Sequence, residues 1–151
     1  MSVTGATLES VRGELLEAGL EVLRVQDQAV LLAQRVRSHL MDAGVRVRCA
    51  RQLGVDVTVR AQSSDFPSDA AQLLFARVRA AVSDSASARG FREIAAQSRE
   101  IRDPSDTSRL LDIWYELTFT KDVSPQSWLE DVRWALRLPK CIAVGAPAAE
   151  Q

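Results

Sequence analysis

The 151-residue chain is poor in the residues that usually carry chemistry, with two cysteines, one histidine, seven scattered glycines and eight aromatics. Cys49 and Cys141 stand far apart and match neither a metal-ligand spacing nor a disulfide framework, so both read as reduced thiols. His39 has no second histidine or cysteine at ligand spacing and reads as a partly buried or helix-end histidine. No glycine-rich loop is present to cradle a phosphate, and no Gly-x-Ser-x-Gly elbow surrounds any serine. Nowhere do about eighteen apolar residues follow one another, and residues 1–10 lack a basic region followed by an apolar run. These absences argue against nucleotide-loop enzymes, serine hydrolases, metal centres and membrane spans, and they imply no cofactor. Cytoplasm is the expected compartment.

Lysine is also scarce, at two against seventeen arginines, a bias that points to a GC-rich bacterial genome rather than to seventeen chosen guanidinium contacts. Basic and acidic residues nearly cancel to a net charge of -1, so no global field draws in nucleic acid or an anionic membrane, and neither is an expected partner. Local polarity does exist. Residues 1–23 hold one arginine and four glutamates, whereas residues 24–60 hold seven arginines and three acids.

What the chain has in quantity is an apolar stripe. Leu8, Val11, Leu15, Ala18, Val22, Val25, Ala29, Leu32 and Val36 recur at 3-4 spacings, which predicts a helix over residues 8–43. Such a helix would run roughly 50 Å, longer than a compact domain of this size accommodates without bending or pairing. Gly19 interrupts it, and a second reading ends the helix there, makes residues 20–25 a short strand and caps a new helix at Asp27. Gly44 reads as a helix end in either case.

Beyond Gly44 the period becomes two. Val45, Val47 and Cys49, then Val55, Val57 and Val59, alternate with charged residues, predicting a hairpin that pairs Cys49 with Val55 and Arg48 with Asp56. Ser68 is placed as the cap of a helix reaching Val82, with Ala71, Leu74, Phe75, Val78 and Val82 inward, and residues 83–90 read as a flexible loop. A second hairpin follows, residues 91–102 and 109–121, joined by a turn at 103–108. Ser124 and Pro125 start a last helix that is expected to end before Pro139, with residues 140–144 as an edge strand and 145–151 as a mobile tail. The predicted class is α+β over residues 1–144 as a single domain: a long N-terminal helix, two antiparallel hairpins in one sheet, and two further helices packed on it. That order of helix, hairpins and closing helix resembles small dimeric secretion chaperones, which implies a dimer of that kind as one alternative.

Few residues present themselves as a site. Leu8, Val11, Leu15 and Val22 form a candidate self-association seam, costly to leave in water at about 25 cal/mol per Å². Trp114 and Trp134 occupy positions whose neighbours mark them as polar faces, and tryptophan combines large apolar area with a donor, as interface anchors do. Arg46, Arg48 and Arg60 on the outer hairpin face form a candidate patch for an anion or an acidic partner. The acidic pairs Asp103/Asp106 and Glu130/Asp131 read as a turn and a solvated helix face, and Cys49 as a core residue. The implied function is a non-catalytic protein-interaction, adaptor or regulatory domain, self-associating through the N-terminal helix. The alternative is a small-ligand sensor with an apolar-lined pocket.

Overall fold

The computed structural model describes residues 7–65 and 71–143, and within that span side chains are described except at 65–75 and 139–143. The elements are α1 (Leu8–Glu17), β1 (Glu21–Gln26), β2 (Ala29–Val36), β3 (His39–Cys49), β4 (Leu53–Gln62), α2 (Ala71–Ala88), β5 (Arg92–Asp103), β6 (Asp106–Asp122) and α3 (Trp128–Ala143), with one short 3-10 turn, Ser63–Asp65. The six strands form a single antiparallel sheet in the order β1-β2-β3-β4-β6-β5, so the α+β class stands. The chain falls into two compact units, Met1–Val57 with Thr120–Arg137, and Thr58–Phe119 with Leu138–Gln151. The connection at 66–67, the Ser68 cap and the tail 145–151 lie outside the described residues.

The long N-terminal helix does not exist. Thr7 caps α1 by accepting from the Ser10 amide at 3.1 Å, while the Ser10 hydroxyl accepts the Thr7 amide in return. After two and a half turns Gly19 takes φ +81°, the Leu20 amide donates to Leu15 O at 3.0 Å and the Gly19 amide to Leu16 O at 3.0 Å. That is a Schellman stop, which needs a left-handed residue and finds one in glycine. Asp27 and Gln28, at φ 54° and 59°, then make a two-residue turn of the hairpin type, and Arg37 at φ 60° helps make the next. Past Gly19 the 3-4 stripe belongs instead to two strands. Ala29, Val30, Leu32 and Ala33 are all buried, so β2 reads as a continuous apolar run because both its faces are covered.

Gly44 is likewise not a helix end. It sits within β3 at φ +79°, where Leu31 pairs with Arg46 but Ala33 pairs with Asp42, leaving three β3 residues against one of β2. This is a bulge, and the Asp42 carboxylate secures it by accepting the Gly44 amide at 2.8 Å. His39 pairs with Val36 at the exposed hairpin tip rather than at a helix end.

The β3-β4 hairpin forms, with its register two residues tighter than expected: Cys49 pairs with Leu53, Val47 with Val55 and Arg46 with Asp56. A shift of two keeps every side chain on its expected face, where a shift of one would have inverted them. In the first unit Val11 and Leu15 of α1, Val30 and Leu32 of β2, Val45, Val47, Val55 and Val57 of the hairpin, and Trp128, Val132 and Ala135 of α3 are buried. In the second, Val59, Val78, Val82, Ala86, Phe91, Leu117 and Phe119 are.

Two helices run longer than expected. Residues 83–88 continue α2 rather than forming a loop, and Gly90 at φ 94° closes it with Phe91 N–H donating to Ala86 O at 2.8 Å, the same stop used by α1. Serine and alanine inside a helix cost little once Val82 and Ala86 are buried beneath it. α3 passes through Pro139 to Ala143, replacing the expected edge strand, although a proline inside a helix forfeits one hydrogen bond and crowds the preceding turn.

Candidate functional site

Alternation along β4 and β6 sets two rows of polar side chains on one face of the sheet, and the strands themselves decide which groups meet. In the first unit the meeting point is Asp56. The residue is 5% exposed although its side chain points away from the apolar face, because other side chains roof it over. Arg46 Nε donates to Oδ2 at 2.9 Å, Arg48 Nε to Oδ2 at 2.8 Å and Oδ1 at 3.0 Å, and Thr120 Oγ1 to Oδ1 at 2.5 Å. Arg48 Nη2 continues to Thr120 Oγ1 at 2.9 Å and comes within 3.7 Å of Asp122. A carboxylate out of water needs such partners. Arg48 reaches them by lying across Gly54, where any Cβ would stand 2.1 Å from its Nη2.

Arg60, in the second unit, donates through Nε to Glu116 Oε2 at 2.8 Å, and Thr58 and Thr118 share a bond of 3.3 Å. The expected patch of available guanidiniums at Arg46, Arg48 and Arg60 is therefore engaged in ion pairs across the strands, Arg46 and Arg48 sharing Asp56 and Arg60 taking Glu116.

Trp114 stays at the surface, 40% exposed. The guanidinium of Arg99, on β5, lies 5.2 Å from its ring centroid, a cation-π pair that holds both groups flat on the sheet. Beside them is a cleft of about 250 Å³ lined by Arg60, Gln62, Gln97, Arg99, Trp114 and Glu116. Arg99 was not singled out in the sequence, because its stacking depends on which residue of β6 falls beside it. Trp134 is half-buried and interacting, so it is not the exposed anchor expected from the helix phase.

The candidate seam is consumed within the chain. Val11 and Leu15 are fully buried, and Leu8 and Val22 are partly so, because a ten-residue α1 folds back on β1 and β2 instead of projecting.

The groups weighed for chemistry sit in structural roles. Asp103 accepts from the Ser105 hydroxyl at 2.7 Å and amide at 2.9 Å, and Asp106 from the Ser108 hydroxyl at 2.6 Å and amide at 3.2 Å. These bonds hold both carboxyls below the usual aspartate range. Asp131 is buried against Lys121 at 2.9 Å, which corrects its placement on a solvated face. Burial pushes the half-covered Cys49 thiol up, away from thiolate nucleophilicity. Among the described residues no group of three or more His, Cys, Asp or Glu side chains is arranged to hold a metal ion, and no helix is long and apolar enough to cross a membrane.

Compared with family models, curated proteins and solved structures, the chain matches none. The resemblance to secretion chaperones thus rests on element order alone, and the side chains carry the functional argument.

Proposed function

We propose that this chain is a non-catalytic protein-interaction domain of a bacterial cytoplasm, an adaptor or regulatory module that binds through its β5-β6 hairpin. The observation that carries this reading is the apolar surface the hairpin leaves uncovered: Ile94 at 52% exposure, Leu111 at 50%, and Leu110 and Trp114 close behind. Scattered single apolar residues are ordinary on a surface, but this hairpin exposes four large ones, with Leu110 and the tryptophan on one face of β6 and Leu111 on the other, and tryptophan is a favoured interface anchor. A homodimer is the simplest form, with the hairpin in the place first given to the N-terminal helix.

Light scattering of the wild type and of a Leu111→Ser/Trp114→Ser double variant, combined with affinity capture by each, tests the reading. The wild type is expected to exceed monomer mass or to retain a partner that the folded variant releases. Equal mass and equal capture for both would overturn it.

A second reading, a small-ligand sensor, is favoured by one feature. An open groove of about 750 Å³ runs between α2 and the strands β5 and β6, lined by Ala76, Ala80, Ser83, Ala96, Ile113 and Tyr115. Small side chains on both walls leave space there that larger ones would fill. A ligand-dependent rise in melting temperature that Ala80→Phe abolishes would favour it.

A further inference from the structure

β5 ends the sheet, so among the described residues one of its edges has no neighbouring strand, and nine of its twelve residues are exposed. Native proteins usually blunt such an edge with charge, because its unpaired amides and carbonyls invite another strand. Here the charges stand at the two ends, Arg92 and Glu93 on one side and Arg99, Glu100 and Arg102 on the other, while residues 94–98 are Ile-Ala-Ala-Gln-Ser. The middle of the edge is open.

Arg99 gives that edge a preference. Arg60 is occupied by Glu116, but among the described residues Arg99 has no carboxylate partner, only the face of Trp114. A guanidinium stacked on an aromatic ring keeps its in-plane donors unblocked by the ring and loses little freedom on taking a carboxylate. The cleft beside it, about 250 Å³, has room for a side chain and not for a drug-sized cofactor.

We propose that β5 binds an extended acidic segment of a protein partner, which adds as a strand along the free edge and sets a carboxylate on Arg99. The proposal rests on the interaction reading above and names the chemistry of its partner. Backbone pairing along residues 94–98 supplies affinity, and period-two alternation puts acids beside Arg99 and apolar residues on the α2 side of the sheet, where the groove lies.

The test is fluorescence anisotropy with a labelled peptide of about eight residues alternating Asp and Val, the length of an ordinary strand, against the same peptide with Lys for Asp. The wild type is expected to bind the acidic peptide and not the basic one, and Arg99→Glu to weaken binding at least about tenfold. Arg99→Lys is expected to fall between them, since an ammonium keeps the charge and loses the fork. Slowed amide exchange over residues 94–98 in the complex is expected as well. Binding unchanged in a folded Arg99→Glu variant, or free glutamate binding as tightly as the peptide, would overturn the proposal. If neither peptide binds while Leu111→Ser/Trp114→Ser still abolishes association, the acidic preference falls and the interaction reading survives; if that variant is also silent, both fall.

Discussion

The same two strands, β4 and β6, carry a closed ion-pair network in the first unit and an open cleft in the second. Around Asp56 two guanidiniums and a hydroxyl converge on one carboxylate that is almost dry, with Asp56 and Thr120 at 5% and 6% exposure. Around Trp114 the charges are wet: the Arg60 and Glu116 side chains are 55% and 40% exposed, and among the described residues Arg99 has only a ring beneath it. Identical alternation produced both arrangements. What differs is Gly54, whose missing Cβ lets Arg48 lie flat and seal the first network, whereas no glycine lies opposite Arg60 or Glu116. Sealed charges hold a fold together, and unsealed ones remain available to a partner.

The largest expected effect separates the two directly. Asp56→Ala leaves Arg46 and Arg48 facing each other without a carboxylate and is expected to cost about 3–5 kcal/mol, the cost of breaking a buried pair from one side. Glu116→Ala removes an exposed pair and is expected to cost less than about 1 kcal/mol. Chemical denaturation of both variants reads the contrast, and equal losses would mean that burial does not distinguish these pairs.

Gly54 sharpens the comparison next. A Cβ there meets the Arg48 guanidinium, a flexible group pinned by Asp56 and Thr120, so Gly54→Ala is expected to destabilise by about 1–3 kcal/mol through displacement rather than backbone strain. In an Arg48→Ala background the same change is expected to cost almost nothing. A double-mutant cycle measures this coupling, and additive losses would show that Arg48 is not what Gly54 accommodates.

Glycine also explains what the sequence made legible and what it concealed. The second hairpin, the β3-β4 faces and the existence of the last helix were readable, because period two over Val45–Val47 and Val55–Val59 and the Ser124-Pro125 start are local signals. The first third was split between two readings, because Val22, Val25, Leu32 and Val36 fit a 3-4 stripe as well as they fit strands; the reading that ended the helix at Gly19 and made residues 20–25 a strand holds, while its second helix from Asp27 is β2 instead. Surface Trp114 was legible from alternation, but its partner Arg99 was not, since stacking requires the β5-β6 register. Gly13 and Gly19 give this a measurable form. Gly13→Ala, in open space inside α1, is expected to stabilise by about 0.5–1 kcal/mol, whereas Gly19→Ala, at φ +81°, is expected to destabilise by about 1 kcal/mol. Thermal melts of the two variants should move in opposite directions.

The smallest effect tests whether the second unit has any sealed charge. Asp112 accepts from the Ser63 hydroxyl at 2.7 Å, the Ser64 hydroxyl at 2.9 Å and the Ile113 amide at 2.8 Å. These bonds, the Ser63 hydroxyl first, hold its carboxyl below the usual aspartate range. The folded chain therefore binds fewer protons here than the unfolded chain, so the contribution is complete above the ordinary aspartate pKa and fades as pH falls through the folded one. Asp112→Asn keeps the shape and removes the titration. Its stability relative to wild type is expected to be lower at neutral pH and to converge on it in acid, below pH ~4. A difference that stays constant across that window would place the role of Asp112 in geometry alone, leaving the second unit with exposed pairs only and widening its contrast with the Asp56 network.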